Sequence, residues 1–393
     1  MNLEERKKKI IYIINDLSFF VSHRLPLALH AKSKKWNVKI LIGKPGSKIM
    51  EKHAKNLINQ YDLDIKRINF SSSSLNIFSE IIGFLQIFFE IFLFKPNIVH
   101  LVSNKPILYG GIISRILNIP CLIVAISGMG AMFTGKKEGL MSLLPSIYLK
   151  FLKFILKHKN LKLILQNKDD NFFFIDNNLV NEKKITLIPG SGVDLNKYKN
   201  SSNFKNEKII LFPARILIDK GTIEFVESAK ILKEKYPDWR FVLVGASGYK
   251  NPSSISETKI NEWIDKGYIE WWGYKNEMSE IFMRSSIVCL PSYREGMPKS
   301  LLEAAAAGKP VITTDVTGCR EAILAGVTGE LVPVKNISKL VESLSKLIEN
   351  RSLCEEYGKE GKLMAKEKFD IKNIVSKTFS LYESLLTKYE KKI

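Results

Sequence analysis

The stretch IVCLPSYREGMPKSLLEAAAAGKPVITT, residues 287–314, is the most informative segment of the sequence. It begins and ends with short apolar runs rich in β-branched residues, which are typical of buried strands. Between these runs, Pro298 suits the first position of a helix, Gly308 suits the left-handed residue after the last turn, and Pro310 prevents continuation. The segment is therefore predicted to be a strand, a helix over roughly 298–307 and a second strand, which is a βαβ unit.

The start of this helix has the features of an anion site. With Pro298 as the first helical residue the capping residue would be Met297, whose side chain has no oxygen for the free N–H groups of the first turn. These groups and the helix dipole favour an anion, and Gly296 lets a ligand approach the backbone closely. Glu295 and Glu303 flank the site, and carboxylates accept hydrogen bonds from hydroxyls rather than bind phosphate. The arrangement predicts a nucleotide sugar, with the diphosphate between ribose and hexose. The alternative is a solvated loop Glu295 and a helix-start acid at Glu303.

Strand-like runs alternate with helix-length segments almost throughout the chain, which predicts two parallel α/β sheets. A length of 393 residues also exceeds what one hydrophobic core supports. The first set of strands is predicted at 9–14, 38–42, 65–70, 98–102, 122–126, 163–166 and 185–188. The second set, after Gly190-Ser191-Gly192, is predicted at 208–212, 240–244, 269–273, 287–290, 311–314 and 329–332.

The predicted domains are therefore residues 1–190 and 191–370. A terminal helix at 371–393, with apolar residues at helical spacing, is expected to cross back to the first domain. Ligands of parallel α/β sheets bind outside the carboxyl ends of the strands, so we expect the site in the cleft between the two domains.

The composition, with 45% hydrophobic and 25% charged residues, is ordinary for a soluble globular protein. The four cysteines show no disulfide or metal-ligand spacing, which indicates a reducing cytoplasm. The apolar run 10–14 is too short for a signal peptide. The longer apolar run 75–94 contains Glu80 and Glu90 and is interpreted as a buried helix rather than a membrane span.

The formal charge of +20 is concentrated in the first half, since residues 1–190 carry +15 and the remainder +5. Lys150, Lys153 and Lys157 lie on one face of an otherwise apolar predicted helix at 143–156, after Lys136 and Lys137. This helix either contacts anionic lipid headgroups or is a packed helix with a solvated basic face. Nucleic acid is not expected as a partner, because no motif for base stacking or groove binding accompanies the charge.

A second candidate phosphate element follows the strand at 208–212. Arg215 and Lys220 come after its carboxyl end, where a guanidinium and an ammonium can together stabilise a departing diphosphate. The alternative interpretation pairs these cations with Asp219 or Glu224 as part of ordinary loop structure.

These features, in this order, resemble the retaining GT-B glycosyltransferases of family 4. The resemblance spans nearly the whole second domain and includes Val244-Gly245, Gly273-Tyr274 and Leu290-Pro291-Ser292. In the first domain it includes 20–27 (FVSHRLPL), 99–101 (VHL), 105–111 (KPILYGG) and 126–130 (ISGMG). The relatives with such first-domain stretches build surface polysaccharides or glycans on a lipid carrier.

The resemblance implies a GT-B fold, in which two Rossmann-like domains face each other across a cleft, with acceptor binding in 1–190 and donor binding in 191–370. Glu303 would hold the ribose hydroxyls, Arg215 and Lys220 would hold the diphosphate, and Glu295 would face the transferred sugar near its anomeric carbon. The remaining donor-binding residues would be Gly245, Tyr274, Gly296, Met297, Pro298, Lys299, Ser300 and Leu301. The resemblance also implies retention of anomeric configuration and no requirement for a divalent metal or other cofactor.

The acceptor side departs from the family pattern, because residues 17–24 stand where many members have a glycine-rich loop. Ser22, His23 and Arg24 are predicted to open a helix toward an acceptor phosphate. Ser127 and Gly128 either approach the acceptor or complete a turn. His100 is interpreted as a core residue rather than a base.

The sequence thus predicts an enzyme that transfers a hexose or N-acetylhexosamine, with the UDP-linked sugar as the expected donor, to a lipid-linked glycan at the inner face of the cytoplasmic membrane. Two alternatives remain. One is a nucleotide-sugar epimerase of the same architecture, and the other is a basic membrane- or nucleic-acid-binding protein without enzymatic activity.

Overall fold

The computed structural model describes residues 7–71, 76–128, 144–199, 207–248 and 251–391. The chain divides into two compact units, one of Met1–Ile188 with Ile374–Ile393 and one of Pro189–Asn373. The sequence-based boundary at 190 lies two residues from the observed division, and the terminal segment belongs to the first unit as expected.

Unit 1 is a seven-stranded parallel sheet with helices on both faces. Its strand order is β3-β2-β1-β4-β5-β6-β7. Its elements are β1 (Lys9–Ile14), α1 (Leu17–His23), α2 (Leu25–Ser33), β2 (Asn37–Lys44), α3 (Lys48–Ile58), β3 (Asp64–Ser71), α4 (Ile77–Phe94), β4 (Ile98–Val102), α5 (Asn104–Ile116), β5 (Cys121–Ile126), α6 (Leu144–Leu156), β6 (Leu161–Leu165), α7 (Lys168–Asp176) and β7 (Ile185–Leu187).

The alternation of β1 explains the two layers of unit 1. Ile10, Tyr12 and Ile14 belong to the core on the face of α1, α2 and α3, whereas Ile11 and Ile13 belong to the core beneath α4, α5 and α6. Successive side chains of a strand point to opposite faces, so a strand that is apolar at every position is covered on both sides. Of the six residues of this strand, Lys9 is half-buried and the other five are fully buried.

Unit 2 is a six-stranded parallel sheet in the order β10-β9-β8-β11-β12-β13. Its elements are β8 (Ile209–Pro213), α8 (Thr222–Lys235), β9 (Arg240–Val244), α9 (Glu257–Asp265), β10 (Glu270–Trp271), α10 (Ser279–Arg284), β11 (Ile287–Leu290), α11 (Lys299–Ala306), β12 (Val311–Thr314), β13 (Gly329–Val332), α12 (Ile337–Glu349) and α13 (Arg351–Met364). In both units the strand order reverses once, between β1 and β4 and between β8 and β11, and such switch points are where open α/β sheets bind ligands.

The last helix, α14 (Ile371–Glu390), joins unit 1 from Ile374 onward. Its apolar residues enter the core on the face of α1 and α2. Tyr382 is fully buried there, where its hydroxyl lies 2.5 Å from Nδ1 of His100. The terminal helix is therefore a structural part of unit 1.

The prediction that residues 75–94 form a helix is confirmed for Ile77–Phe94, but the prediction that this helix is buried is wrong. The helix α4 begins at Ile77, since residue 75 lies outside the described residues, and only Gly83, Ile87, Glu90 and Ile91 are buried. Within the described part of the chain it is the one helix whose length and composition would allow it to cross a membrane. It connects β3 and β4 of one sheet, however, and packs along that sheet.

Candidate active site

The switch point of unit 2 brings Lys220 and Glu295 together. Lys220 ends a short 3₁₀ helix that follows β8, and Glu295 lies in the loop that follows β11. The Lys220 Nζ lies 2.5 Å from Glu295 Oε1, and the Ser292 hydroxyl donates to the same oxygen at 3.1 Å. The two charged side chains expose only 12% and 17% of their surface. The carboxylate that Lys220 binds is therefore Glu295, and not Asp219 or Glu224 as in the alternative interpretation.

Close backbone packing fixes the two loops. Gly221 has a φ of +78°, and a Cβ at this position would lie 2.1 Å from the carbonyl oxygen of Pro291. Behind Glu295, Gly318 has a φ of +79°, and its Cβ would lie 2.4 Å from the Glu295 carbonyl oxygen. Only glycine combines a positive φ with such contacts. The backbone N–H of Glu295 also donates to the Thr317 carbonyl at 3.1 Å.

The helix α11 begins one residue later than predicted. The capping residue is Pro298 rather than Met297, because Pro298 has a ψ of 112°, which is outside the helical range. Pro298 offers no side-chain hydrogen bond to the first turn, so the predicted absence of a side-chain cap is correct. Met297 instead packs in the core of unit 2. Gly308 has a φ of +70°, as predicted for the residue that ends the helix.

Glu303 lies in the second turn of α11 with 20% of its side chain exposed. Burial raises the pKa of its carboxyl group, and the nearby Lys299, at 3.7 Å, and Lys197 partly offset this effect. Lys197 is itself paired with Glu277 at 3.1 Å. A carboxylate held in such partial burial can accept two hydrogen bonds from a vicinal diol.

The loops after β8, β9 and β10 meet at one edge of the sheet of unit 2. A Cβ at Gly245 would lie 1.8 Å from the Ala214 carbonyl oxygen, so the loop after β9 passes directly against the loop that carries Arg215. The backbone N–H of Gly245 donates to the carbonyl oxygen of Gly273 at 3.0 Å. The residue after Gly273 is the half-buried Tyr274, which therefore lies near the loop of Gly245. Arg215 is exposed. The structure thus brings the carboxyl-end residues of β8, β9, β10 and β11 to one edge of the sheet of unit 2.

One loop near α11 was not predicted from the sequence to be part of the site. Gly190 and Gly192 have φ values of +69° and +77°, and a Cβ at Gly190 would lie 3.0 Å from Cγ of Met297. Between them, the Ser191 hydroxyl is buried and has no hydrogen-bond partner. The Gly-Ser-Gly sequence is the signal for such a tight loop, but in the sequence alone it indicates only a domain boundary.

The acceptor residues predicted in unit 1 are placed differently from expectation. Ser22 and His23 end α1 instead of opening a helix, and the His23 ring stacks on Phe19 at 4.1 Å. Arg24 does precede α2, but it is buried, and its Nη1 donates to the His23 carbonyl at 2.9 Å. Burial lowers the pKa of its guanidinium, and the nearby Tyr382 and Tyr12 partly offset this effect. Contact of Arg24 with an acceptor phosphate stays a prediction.

The second predicted acceptor element follows β5. Ser127 and Gly128 are half-buried, and Gly128 has a φ of +107°. They lie on a different strand end from α1, since β4 separates β1 from β5 in the sheet. The rest of the 126–130 stretch, Met129 and Gly130, lies outside the described residues.

Other candidate chemical groups are structural. His100 is fully buried and its pKa is lowered well below the usual value by burial, which agrees with its interpretation as a core residue. Burial raises the pKa of the Cys319 thiol to about 12. The sequence contains one Asp-x-Asp, Asp62-Leu63-Asp64, and its carboxylates pair with Lys32 at 2.9 Å and Lys39 at 3.5 Å. The described residues contain no group of three or more His, Cys, Asp or Glu side chains suited to a metal.

Two family models match the chain, one for each unit. Residues 194–364 match the family of glycosyl transferases group 1, and residues 9–167 match the glycosyl transferase 4-like family. A relative from Campylobacter jejuni is 32% identical over 310 residues, covering 74% of this chain and 79% of the relative. That relative is an N,N'-diacetylbacillosaminyl-diphospho-undecaprenol alpha-1,3-N-acetylgalactosaminyltransferase. The chain belongs to this family of glycosyltransferases.

Further comparisons agree with this assignment. The glycosyltransferase is 26% identical over 273 residues to an Escherichia coli UDP-Gal:alpha-D-GlcNAc-diphosphoundecaprenol alpha-1,3-galactosyltransferase, covering 66% of this chain and 68% of the relative. The crystal structure of Anabaena HepE in complex with UDP superposes with a TM-score of 0.73 at 15% identity, covering 96% of this chain and 100% of HepE. At that identity the likeness concerns the fold alone, and the fold of this glycosyltransferase is GT-B, with two Rossmann-like domains.

Proposed function

We propose that the protein transfers a hexose or N-acetylhexosamine from a UDP-linked donor to a diphospholipid-linked glycan, with retention of anomeric configuration. The observation that carries the proposal is the meeting of Lys220 and Glu295 at the switch point of unit 2, beside the start of α11. The named reactions of the Campylobacter and Escherichia relatives support the choice of an undecaprenyl diphosphate-linked acceptor. Such an acceptor would place the reaction at the inner face of the cytoplasmic membrane.

The donor would lie across the carboxyl ends of β8 and β11. Its diphosphate would receive hydrogen bonds from Arg215, Lys220 and the backbone N–H groups of residues 297, 299 and 300, and Glu303 would accept hydrogen bonds from the ribose hydroxyls. Pro298 has no N–H, and the N–H of Leu301 already donates to the Pro298 carbonyl at 3.0 Å. An ammonium group has three N–H donors, so the bond from Lys220 to Glu295 is compatible with a second bond to phosphate. Glu295 would hold the hexose near its anomeric carbon.

In the reaction, the bond between the anomeric carbon and the β-phosphate oxygen breaks and UDP leaves with the electron pair. The acceptor hydroxyl oxygen forms the new glycosidic bond, and its proton passes to UDP or solvent. Negative charge develops on the departing diphosphate, and fixed positive groups stabilise this charge in the transition state. Lys220 and Arg215 would supply these groups, so we also propose that no divalent metal is required.

A panel of donors with and without acceptor tests this proposal. UDP-N-acetylgalactosamine, UDP-N-acetylglucosamine, UDP-galactose and UDP-glucose are incubated with the protein with and without EDTA, and GDP-mannose is the nucleotide control. The measured quantities are donor binding by thermal shift, UDP release and conversion of the donor into an isomer, with and without a short polyprenyl diphosphate N-acetylglucosamine acceptor. We expect release from at least one UDP sugar, strongly increased by the acceptor and insensitive to EDTA.

The two rival functions give different results in the same panel. Conversion of a donor into its isomer without acceptor would favour the epimerase. Absence of binding to every nucleotide sugar, in a folded protein, would overturn the proposal and favour a binding protein. Release that EDTA abolishes would contradict metal independence alone.

A further inference from the structure

The outer face of α4 is an apolar surface formed by eight side chains. Phe78 exposes 81% and Leu93 exposes 72% of the maximum, and the others are also exposed. The complete set, which we call the α4 face, is Ile77, Phe78, Ile81, Ile82, Leu85, Phe89, Phe92 and Leu93. Contiguous exposed apolar patches of this kind on a soluble domain usually mark an interaction surface.

The polar residues of α4 leave this face free of charge. Glu80 lies 2.8 Å from Lys105, and Glu90 lies 2.9 Å from Lys39, so both carboxylates are neutralised on the inner side of the helix. The Gln86 side chain accepts a hydrogen bond from the Asn69 N–H at 2.8 Å.

The fourth polar residue, Ser79, donates to the Asn69 carbonyl at 3.1 Å. With Ser79 directed to β3 as well, all four polar side chains of the helix point toward the sheet. Burying the α4 face would therefore not desolvate a charged side chain of this helix.

A second helix on the same side of the sheet is amphipathic in a different way. The helix α6 shares the core beneath α4 and α5, and its exposed apolar residues are Ile147, Phe151 and Phe154. Between these residues the exposed lysines are Lys150, Lys153 and Lys157. Arg115 of α5 lies over the Phe154 ring at 4.8 Å. The layer of α4, α5 and α6 thus combines apolar side chains with positive charge.

We propose that this layer binds the surface of a bilayer that contains anionic lipid, with the α4 face inserted among the acyl chains and the lysines of α6 at the headgroups. Helices with an apolar face and flanking cations lie in the plane of the membrane interface, and each cation near an anionic surface strengthens binding. The helix lies along the sheet that carries both of its flanking strands, which matches an in-plane orientation. A second copy of the chain is the competing occupant. The exposed Lys44, which donates to Ser79 at 2.9 Å, and the lysines of α6 place positive charge around the α4 face. This charge favours an anionic surface over a second, equally basic copy.

Vesicle flotation tests the proposal without donor or acceptor, so its outcome is independent of the proposed reaction. The probes are phosphatidylcholine vesicles with and without phosphatidylglycerol. The test variant is Leu85→Glu, and the matched control is Ile231→Glu on α8 of unit 2, because the two wild-type side chains are 49% and 48% exposed. Far-UV circular dichroism and thermal unfolding check that both variants fold.

We expect the wild type and Ile231→Glu to float with vesicles that contain phosphatidylglycerol. Leu85→Glu should lower the partition coefficient roughly tenfold or more, because one large side chain no longer enters the apolar phase. UDP binding, which belongs to unit 2, should remain unchanged in Leu85→Glu. Lysine-to-glutamine changes at Lys150 and Lys153 should reduce the preference for the anionic vesicles.

Two results would overturn the proposal. One is equal flotation of Leu85→Glu and wild type. The other is a wild-type dimer, measured by light scattering, that Leu85→Glu converts to a monomer while neither protein floats. That outcome would identify the α4 face as an interface between two copies.

Discussion

Lys220 and Glu295 illustrate what residue patterns can and cannot predict. Each was selected from its own strand end, because cations and carboxylates at the carboxyl ends of parallel strands are the usual site residues. Their pairing joins positions 75 residues apart, and it depends on β8 and β11 being neighbours in the sheet. The order of strands is not written in local sequence, so local reasoning left Asp219 and Glu224 as alternative partners.

Arg24 is a second case at the same scale. Its position between two helices matched a ligand-binding arginine, but the side chain is buried and burial lowers the pKa of the guanidinium. Tyr382 of α14 lies close enough to influence the pKa of this guanidinium, although it is more than 300 residues away in the chain. The sequence predicts the junction and not the orientation.

Glu303 allows a prediction that links stability to function. Its folded-state pKa is raised, so the stability it contributes is present below the ordinary pKa of a glutamate and is lost as pH rises through the folded-state pKa. At neutral pH the raised pKa therefore costs stability, because burial disfavours the ionised form in the folded state. Glu303→Gln should raise the unfolding temperature of unit 2 at neutral pH and weaken binding of a UDP sugar roughly tenfold or more, because charged hydrogen bonds to the ribose are lost.

Calorimetry and titration against pH measure both effects. Wild-type affinity for UDP-N-acetylgalactosamine should fall on acidification, beginning at a higher pH than an ordinary glutamate would give, whereas Glu303→Gln should show a flat profile. A UDP sugar is a better probe than UDP, because its phosphates do not titrate in this range. Unchanged affinity in Glu303→Gln would remove the ribose role.

At the scale of elements, short strands and α11 were predictable because each has strong local signals. The bounds of β1, β4, β9, β11, β12 and β13 agree with the sequence prediction, and most other strands differ by one or two residues at either end. The burial of α4 was not predictable from composition. Glu80 and Glu90 indicated an interior helix. In the structure they pair with lysines of neighbouring elements on the sheet side of the helix, and the apolar side chains face outward and are exposed.

The terminal helix α14 gives a prediction at this scale. Tyr382 is fully buried, and its hydroxyl contacts His100 and lies 3.4 Å from the Tyr12 hydroxyl. Tyr382→Ala should destabilise unit 1 by about 3–5 kcal/mol through the cavity it creates. The control Tyr382→Phe keeps the ring and should cost less, about 1–3 kcal/mol, for the unpaired histidine nitrogen.

Differential scanning calorimetry with UDP distinguishes the units in this experiment. UDP should raise only the transition of unit 2, and the Tyr382 substitutions should lower only the other transition. Equal effects of the alanine and phenylalanine variants would show that packing of the ring is not what holds α14 in place.

At the scale of the whole molecule, two units with the same reversal of strand order carry different chemistry. Unit 2 gathers the predicted donor-binding residues at one sheet edge, whereas the basic half of the sequence forms most of unit 1 and presents the α4 face. Length and strand periodicity were sufficient to predict two α/β units. The exposure of α4 depends on tertiary contacts that no local pattern encodes.

The most direct test of the central claim is the anomeric configuration of the product. The four UDP sugars of the panel carry an α-anomeric carbon. The protein is incubated with the donor selected by the panel and with a polyprenyl diphosphate N-acetylglucosamine acceptor. Proton NMR of the purified glycolipid then measures the coupling at the new anomeric centre. The proposed retaining transfer predicts an α linkage to the acceptor sugar, and a β linkage, or donor consumption without any new glycosidic bond, would contradict it.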